Sequence, residues 1–338
     1  MLTLATACGG EKTQADNQKT EESKDSGTKA AETSAKPILV GFSFASKEGV
    51  IYQAFEDYIK KAGQQSNPKV DFTFTVADAD VGKQASNIED LISQKPDLIV
   101  MMPQDSKAIV ASIKAAHKAG IPVLTYNRAA SPEADEKPDA HVGLDTVDQA
   151  YTTAKALFEL MKKDGVEPKV INVMGDLRDE NAVNRDKGLK KAAEEMGVAI
   201  VQDVPTEWNP DKALLGLSAA LQAHPEANAI FCASDFLMPG VQAAMERANK
   251  WIPYGQSGHM YLGSQDVFPS GAKLLKEKYI DINTAFDIWP MSTAAVDTII
   301  KLVQKKPLEN NNILIKGRVF NQENIVNEQN VWANDYKE

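Results

Sequence analysis

The sequence predicts two α/β lobes, each built on a largely parallel sheet with helices on both faces. Three observations predict them. Short apolar runs of strand type alternate with amphipathic helical stretches, the signature of a sheet buried on both sides. The alternation occurs twice, and a Pro-, Glu- and Asp-rich segment at 129–139, of exposed-loop composition, lies between the two series. A chain of 338 residues, 43% hydrophobic and 25% charged, has ordinary globular composition and is longer than a typical single domain.

The first series opens with Ile38-Leu39-Val40-Gly41-Phe42. An amphipathic stretch at 51–62 follows, then a strand at 70–76, a helix at 83–93, a strand at 98–102, a helix at 108–119 and a strand at 122–126. The second series is expected to begin at Ala140-His141-Val142-Gly143. Its strands fall at 170–174, 199–201, 229–232 and 261–263, and its helices at 147–163, 182–196, 211–223 and 239–249. A tail holds a strand at 282–286, a helix near 291–305 and a strand at 313–315. These are too few for a third domain and should complete the first two sheets. The expected lobes are therefore 37–141 plus 288–316 and 142–287 plus 317–338. The chain then crosses between them several times, as a hinge requires.

The head of the chain has a different character. In Leu4-Ala5-Thr6-Ala7-Cys8-Gly9-Gly10, small residues precede a cysteine that opens a polar segment. This resembles the bacterial lipoprotein cleavage site, which implies that Cys8 becomes an acylated N-terminus at a membrane surface. The charged and apolar parts of a secretory signal do not precede it, so a shortened chain or late start is expected. Residues 11–36 lack aromatics and apolar period, and are expected to form a disordered tether. The other cysteine, Cys232, lies in the apolar run Ala229-Ile230-Phe231-Cys232-Ala233 and reads as an inert core thiol. A net charge of -10 argues against nucleic acid as a partner. No apolar run is long enough to span a bilayer.

In open α/β sheets ligands sit beyond the carboxyl ends of the strands. The residues just after each strand are Ser43, Phe44, Asp78, Pro103, Gln104, Asn127 and Arg128 in the first half. In the second they are Asp145, Asp176, Asp235, Asp266 and Asp287, with Arg185 and Trp208 close by. Carboxylates, amides, guanidiniums and flat aromatics together suit a sugar. Its hydroxyls both donate and accept, and its C–H face packs on a ring. Plainer readings stand beside these. Asp145, Asp176 and Asp235 also suit helix caps. Tyr52 also suits the core of the first helix, and Trp208 the lobe edge. Arg185 sits in a charged helix start with the look of a solvated face.

Further residues carry a resemblance. Pro103-Gln104-Asp105-Ser106 leads through a helix to Ala119-Gly120-Ile121-Pro122-Val123-Leu124-Thr125-Tyr126-Asn127-Arg128. Asn181 precedes Arg185-Asp186-Lys187-Gly188-Leu189. His224-Pro225 precedes the 229–232 strand, Ser234-Asp235 follows it, and Gly263-Ser264-Gln265-Asp266 ends the next. From Pro37 onward this order and spacing resemble the ribose- and xylose-binding branch of the periplasmic binding proteins. The resemblance implies the type I fold, two Rossmann-like doubly wound lobes joined by a multi-crossing hinge. It also implies an extracytoplasmic, monomeric sugar-binding subunit that closes on its ligand and serves an ABC permease with its ATPases. Arg128 and Arg185 would donate to the sugar, Asp266 would accept from two hydroxyls, and Trp208 would stack on it. Tyr52, Asn127, Asp235 and Asp287 complete the implied ligand set, and loss of Arg185 should abolish binding while sparing the fold. The sequence departs from the family at Asn127, where Asp is usual, at Ser234, where Asn is usual, and in the length of 43–49. The loop at 250–258 is longer than expected and reads as an added lid or a surface feature.

Three other readings bear on the same sequence. An enzyme would need a nucleotide-binding glycine pattern, a nucleophile elbow or a metal-spaced histidine set, and His117, His141, His224 and His259 are scattered. No catalytic residue, metal or cofactor is expected. A transcription regulator of the same fold would need a DNA-binding head. A receptor of the same fold that feeds a sensor, with a signalling ligand, cyclitol or nucleoside, stays open.

Overall fold

The computed structural model describes residues 36–328 and 331–337. Cys8 and nearly all of the expected tether lie outside the described residues. The chain runs β1 (Ile38–Phe44), α1 (Val50–Gln65), β2 (Val70–Val76), α2 (Val81–Ser93), β3 (Leu98–Met101), α3 (Ile109–Lys118), β4 (Val123–Asn127) and β5 (Ala140–Leu144). It continues with α4 (Thr146–Lys163), β6 (Lys169–Met174), α5 (Glu180–Met196), β7 (Ala199–Pro205), α6 (Pro210–Ala223), β8 (Ala229–Cys232), α7 (Met238–Arg247) and β9 (Tyr261–Asp266). It ends with α8 (Pro269–Lys276), β10 (Ile282–Ala285), α9 (Ile288–Val303), β11 (Asn312–Ile315) and β12 (Val319–Asn321).

Two six-stranded sheets result, ordered β11-β5-β4-β3-β1-β2 and β12-β10-β9-β8-β6-β7. All pairings are parallel except β12 against β10. Without the edge strands β11 and β12, both halves follow one order, so the repeated sequence rhythm is a repeated topology. The strands are apolar because both faces are covered; β3 and β8 are buried at every residue. Each helix lays one apolar stripe on its sheet. In α1 the stripe is Ile51, Phe55, Ile59 and Ala62; in α4 it is Ala150, Ala154, Leu157 and Met161. Side-chain caps fix several helix starts beside the strand ends. Asp80 accepts from Lys83 N, Asp145 from Asp148 N, Asp179 from Asn181 N and Asn209 from Lys212 N.

One strand falls in the other lobe from the one expected. Ala140–Leu144 pairs with β4 in the register Leu124↔Ala140 and is flanked by β11, so it completes the first sheet instead of opening a second series. The 128–139 connection contains no helix, yet it is long enough to bring the chain back parallel to β4. The chain therefore leaves the first sheet after Leu144, not at His141. It crosses again after Ala285, where α9 packs on α1, and after Ile315, where β12 joins the second sheet.

Three further findings bear on the expectations. Helix α8 was not anticipated from its short Pro-Ser-Gly start. The 250–258 loop is no lid, because it enters β9 at the strand's N-terminal end, away from the C-terminal strand ends. There Trp251 stacks on Tyr279 at 4.6 Å, and His259 bridges the Ile252 carbonyl and Asp281. The terminal segment, expected in the second lobe alone, touches both. Trp332 packs on Phe268 and donates to Asp266 O (2.9 Å), while Tyr336 donates to Asp57 on α1 and Tyr58 donates to Asp335. Cys232 is buried as expected. Burial pushes its thiol up to about 12, which leaves it unreactive.

Candidate functional site

A cavity of about 250 Å³ lies between the lobes at the C-terminal strand ends. That is near the small end of ligand pockets. The backbone there is unusual. Asn127, Glu207, Trp208 and Asp266 have φ of 62, 55, 55 and 86°. Non-glycine residues in this left-handed region each cost roughly 1–3 kcal/mol and concentrate where function needs them.

From the first lobe, β4 presents Asn127 and Arg128. Arg128 is buried; its Nη2 donates to Tyr52 Oη (3.1 Å) and its Nη1 to Pro103 O (3.4 Å). Nε lies 2.9 Å from Asp179 Oδ2 across the cleft. One N–H on each terminal nitrogen remains for a ligand. Burial works against this charge, but Asp179 outweighs it and the guanidinium pKa is raised.

From the second lobe, α5 carries Arg185 and β9 carries Asp266. Arg185 is only 3% exposed, and its donors are fully engaged. Nε and Nη2 reach Gln149 Oε1 (3.3 and 3.1 Å), Nη1 reaches Ala233 O (2.6 Å), and Nη2 reaches Asp266 Oδ1 (2.5 Å). Ser234 Oγ donates to Asp266 Oδ2 at 2.5 Å. Asp266 is thus held rigidly, with little freedom to turn from the cavity. Trp208 lies against Gly175, where a Cβ would collide with the indole, and donates from Nε1 to Asp179 Oδ2 (3.0 Å). At the rim Asp176 is bonded through both oxygens to Arg178. Burial alone would raise its pKa, but these bonds hold it below the usual carboxylate value.

The lobes touch across the cleft. Ser106 N donates to Arg178 O (2.9 Å), and Glu180 N donates to Ser106 Oγ (3.1 Å). Asn181 Nδ2 donates to Asn127 Oδ1 (3.1 Å). With the Arg128–Asp179 pair, these contacts make the arrangement a closed one.

Of the residues singled out from sequence, Tyr52, Asn127, Arg128, Arg185, Trp208 and Asp266 line this one cavity. Asp235 and Asp287 do not. Asp235 is buried behind it and accepts from Ser264 Oγ (2.5 Å), Phe268 N (2.9 Å) and Asn283 Nδ2 (2.9 Å). It ties together the ends of β8, β9 and β10, and burial pushes its carboxyl up to about 7. Asp287 forms a two-toothed pair with Arg318 (2.9 Å each) where the chain crosses between lobes, so it belongs to the hinge. Sequence reasoning missed Asp179 and the apolar wall of Phe55, Phe236, Phe268 and Phe286. Three of these phenylalanines stand one or two residues past a strand end or its aspartate, a signal available from sequence.

Residues 40–307 match the periplasmic binding protein domain family. The chain belongs to the periplasmic binding proteins. The ribose import binding protein RbsB of Bacillus subtilis is 26% identical over 275 residues, covering 80% of this chain and 85% of that protein. A protein from Mycobacterium smegmatis in complex with β-D-fucofuranose has a TM-score of 0.77 at 18% identity, over 86% of this chain and 93% of the other. An ABC transporter periplasmic solute binding protein from Actinobacillus succinogenes, with bound D-allose, has a TM-score of 0.76 at 22% identity, over 86% and 100%. These structures share the fold of this periplasmic binding protein. The family is one of extracytoplasmic binding proteins. Among the described residues no helix is long and apolar enough to cross a membrane, and no group of acidic, His or Cys side chains is arranged to hold a metal.

Proposed function

We propose that this protein is the solute-binding subunit of an ABC importer, capturing a monosaccharide or related polyol between its lobes and delivering it to a membrane permease driven by ATPases. One observation carries the reading. A small closed cavity receives Arg128 from one lobe and the Arg185–Asp266 pair from the other, within a wall of phenylalanines and Trp208. That is a polar edge and an apolar face at ring-sugar scale. A ribose-import relative and an allose-bound structural neighbour support it. Ligand bridging both half-sites would shift the population to the closed state by its greater affinity for it. Apart from Glu48 and Glu207, the charged groups of the cavity are engaged with one another, and none is poised on a nucleophile, so we read a binder, not an enzyme. We further propose lobes of 37–144 plus 288–316 and 145–287 plus 317–328, a monomeric state, and anchoring to the membrane surface through a lipidated Cys8.

The test is a thermal-shift screen of residues 37–338 with pentoses, hexoses, sugar alcohols, cyclitols and nucleosides. A ligand that binds only the native state at about 100 times its Kd adds about 2.7 kcal/mol of stability. A shift with one polyol class is expected. A shift with nucleosides alone would replace the reading.

A further inference from the structure

All the charged side chains of the cavity except one have an opposite partner. Arg128 faces Asp179, Arg178 faces Asp176 and Arg185 faces Asp266. Glu207 turns outward to Lys212 Nζ at 2.6 Å. Glu48 has no cation partner among the described residues, because neighbouring Lys47 is engaged by Glu56. Five carboxylates thus stand against three guanidiniums around one small space. The loop bearing Glu48 is pressed on the opposite lobe; a Cβ on Gly49 would stand 3.0 Å from the Phe236 ring. Closure therefore carries this carboxylate over the cavity mouth.

We propose that the cavity sorts ligands by charge, with Glu48 as the specificity residue. It prefers a polyol bearing an amine, an amino sugar or amino cyclitol, to the neutral parent, and rejects carboxylated or phosphorylated forms. This rests on the polyol reading above. An anion finds no unpaired guanidinium, and to capture one it must strand Asp179 or Asp266, buried and uncompensated. A neutral polyol uses the leftover N–H groups and lone pairs without that loss. An ammonium adds a charge-assisted bond to Glu48, which lines the cavity at its solvent-exposed mouth.

The experiment is calorimetric titration of the wild type with ribose, allose, galactose and myo-inositol, then with the amino and the carboxylate or phosphate forms of whichever binds. The amino form should bind about threefold tighter than its parent and the anionic form at least about a hundredfold weaker. In Glu48→Gln and Glu48→Ala, with unfolding transitions matching the wild type, the amine-to-parent ratio should fall to near one. High salt should shrink the wild-type ratio. An anionic form within tenfold of its parent, or an amine ratio unchanged in both variants, overturns the charge-sorting proposal while the polyol reading stands. Failure of every parent and every amino form to bind overturns the polyol reading and this proposal together.

Discussion

Arg185 sits among Arg178, Asp179, Glu180, Asp186 and Lys187, and that company suggests a solvated side chain. Its burial reverses the suggestion, and its engaged donors explain how the charge is tolerated. Buried ion pairs survive only when every lone pair and proton has a partner. The fold therefore depends on Arg185 more than its sequence setting implies. Arg185→Ala strands Asp266 and Gln149. It should cost about 3–5 kcal/mol in urea unfolding, besides abolishing ligand binding. His141 offers a second residue-scale test. Its ring meets Thr125 Oγ1 through Nδ1 (3.0 Å), and burial lowers its pKa to about 4. The unfolded chain takes up a proton near pH 6.5 and the folded protein does not, so stability falls as pH drops from about 6.5 towards 4. Buried Asp235, its carboxyl pushed up to about 7, gains stability over the same range, so the His141 loss is read as the difference between wild type and His141→Gln in urea midpoints at pH 7 and pH 5: the variant should lose less on acidification than the wild type.

At the scale of elements, the first turn of α5 meets the other lobe at three places: Ser106, Asn127 and Arg128. Asp179 joins cap, ion pair and indole contact in one carboxylate, which fixes the helix start at the cleft. The closing contacts are few and mostly single hydrogen bonds, each contributing roughly 1 kcal/mol. Ser106→Ala with Asn181→Ala should thus shift the ligand-free protein towards an open form, seen as a larger radius of gyration in solution scattering. Ligand should restore compaction at a weaker apparent affinity. An unchanged radius would mean that the hinge alone sets closure. Apart from the short edge strand β12, the strands and most helices were legible because period and burial coincide in them. The sheet to which β5 belongs was not, because a helix-free return and a new βα unit look alike in sequence. The polar half of the cavity was legible from strand-end positions. Asp235 and Asp287 obey the same positional rule but turn to buried and hinge partners, a choice made by packing. Asp179 was missed because its role depends on a residue 51 positions earlier, Arg128.

Across the whole molecule, three chain crossings join the lobes near Asp287 and Arg318, and the terminal segment adds a further tie. Its two ends hold different lobes. Trp332, 5% exposed, anchors against Phe268 and takes the Asp266 carbonyl as acceptor; Tyr336 and Asp335 engage Asp57 and Tyr58 on α1. Asp266 is the cavity residue with the most unfavourable backbone, at φ 86°, and the indole N–H is one of the bonds that hold its carbonyl in place. Deleting 331–338 should therefore act on stability and on binding together. Loss of a buried tryptophan anchor costs about 3–5 kcal/mol, visible as a lowered unfolding midpoint. Ligand affinity should fall as well, because Asp266 and its partner Arg185 lose their alignment. Tyr58→Phe separates the two ends. It removes one of the two strap hydrogen bonds to α1, leaving Tyr336–Asp57 in place and Trp332 seated, so it should alter the ligand-free radius of gyration more than ligand affinity. If Tyr58→Phe weakens binding as much as the deletion does, the strap acts through lobe geometry and not through Asp266.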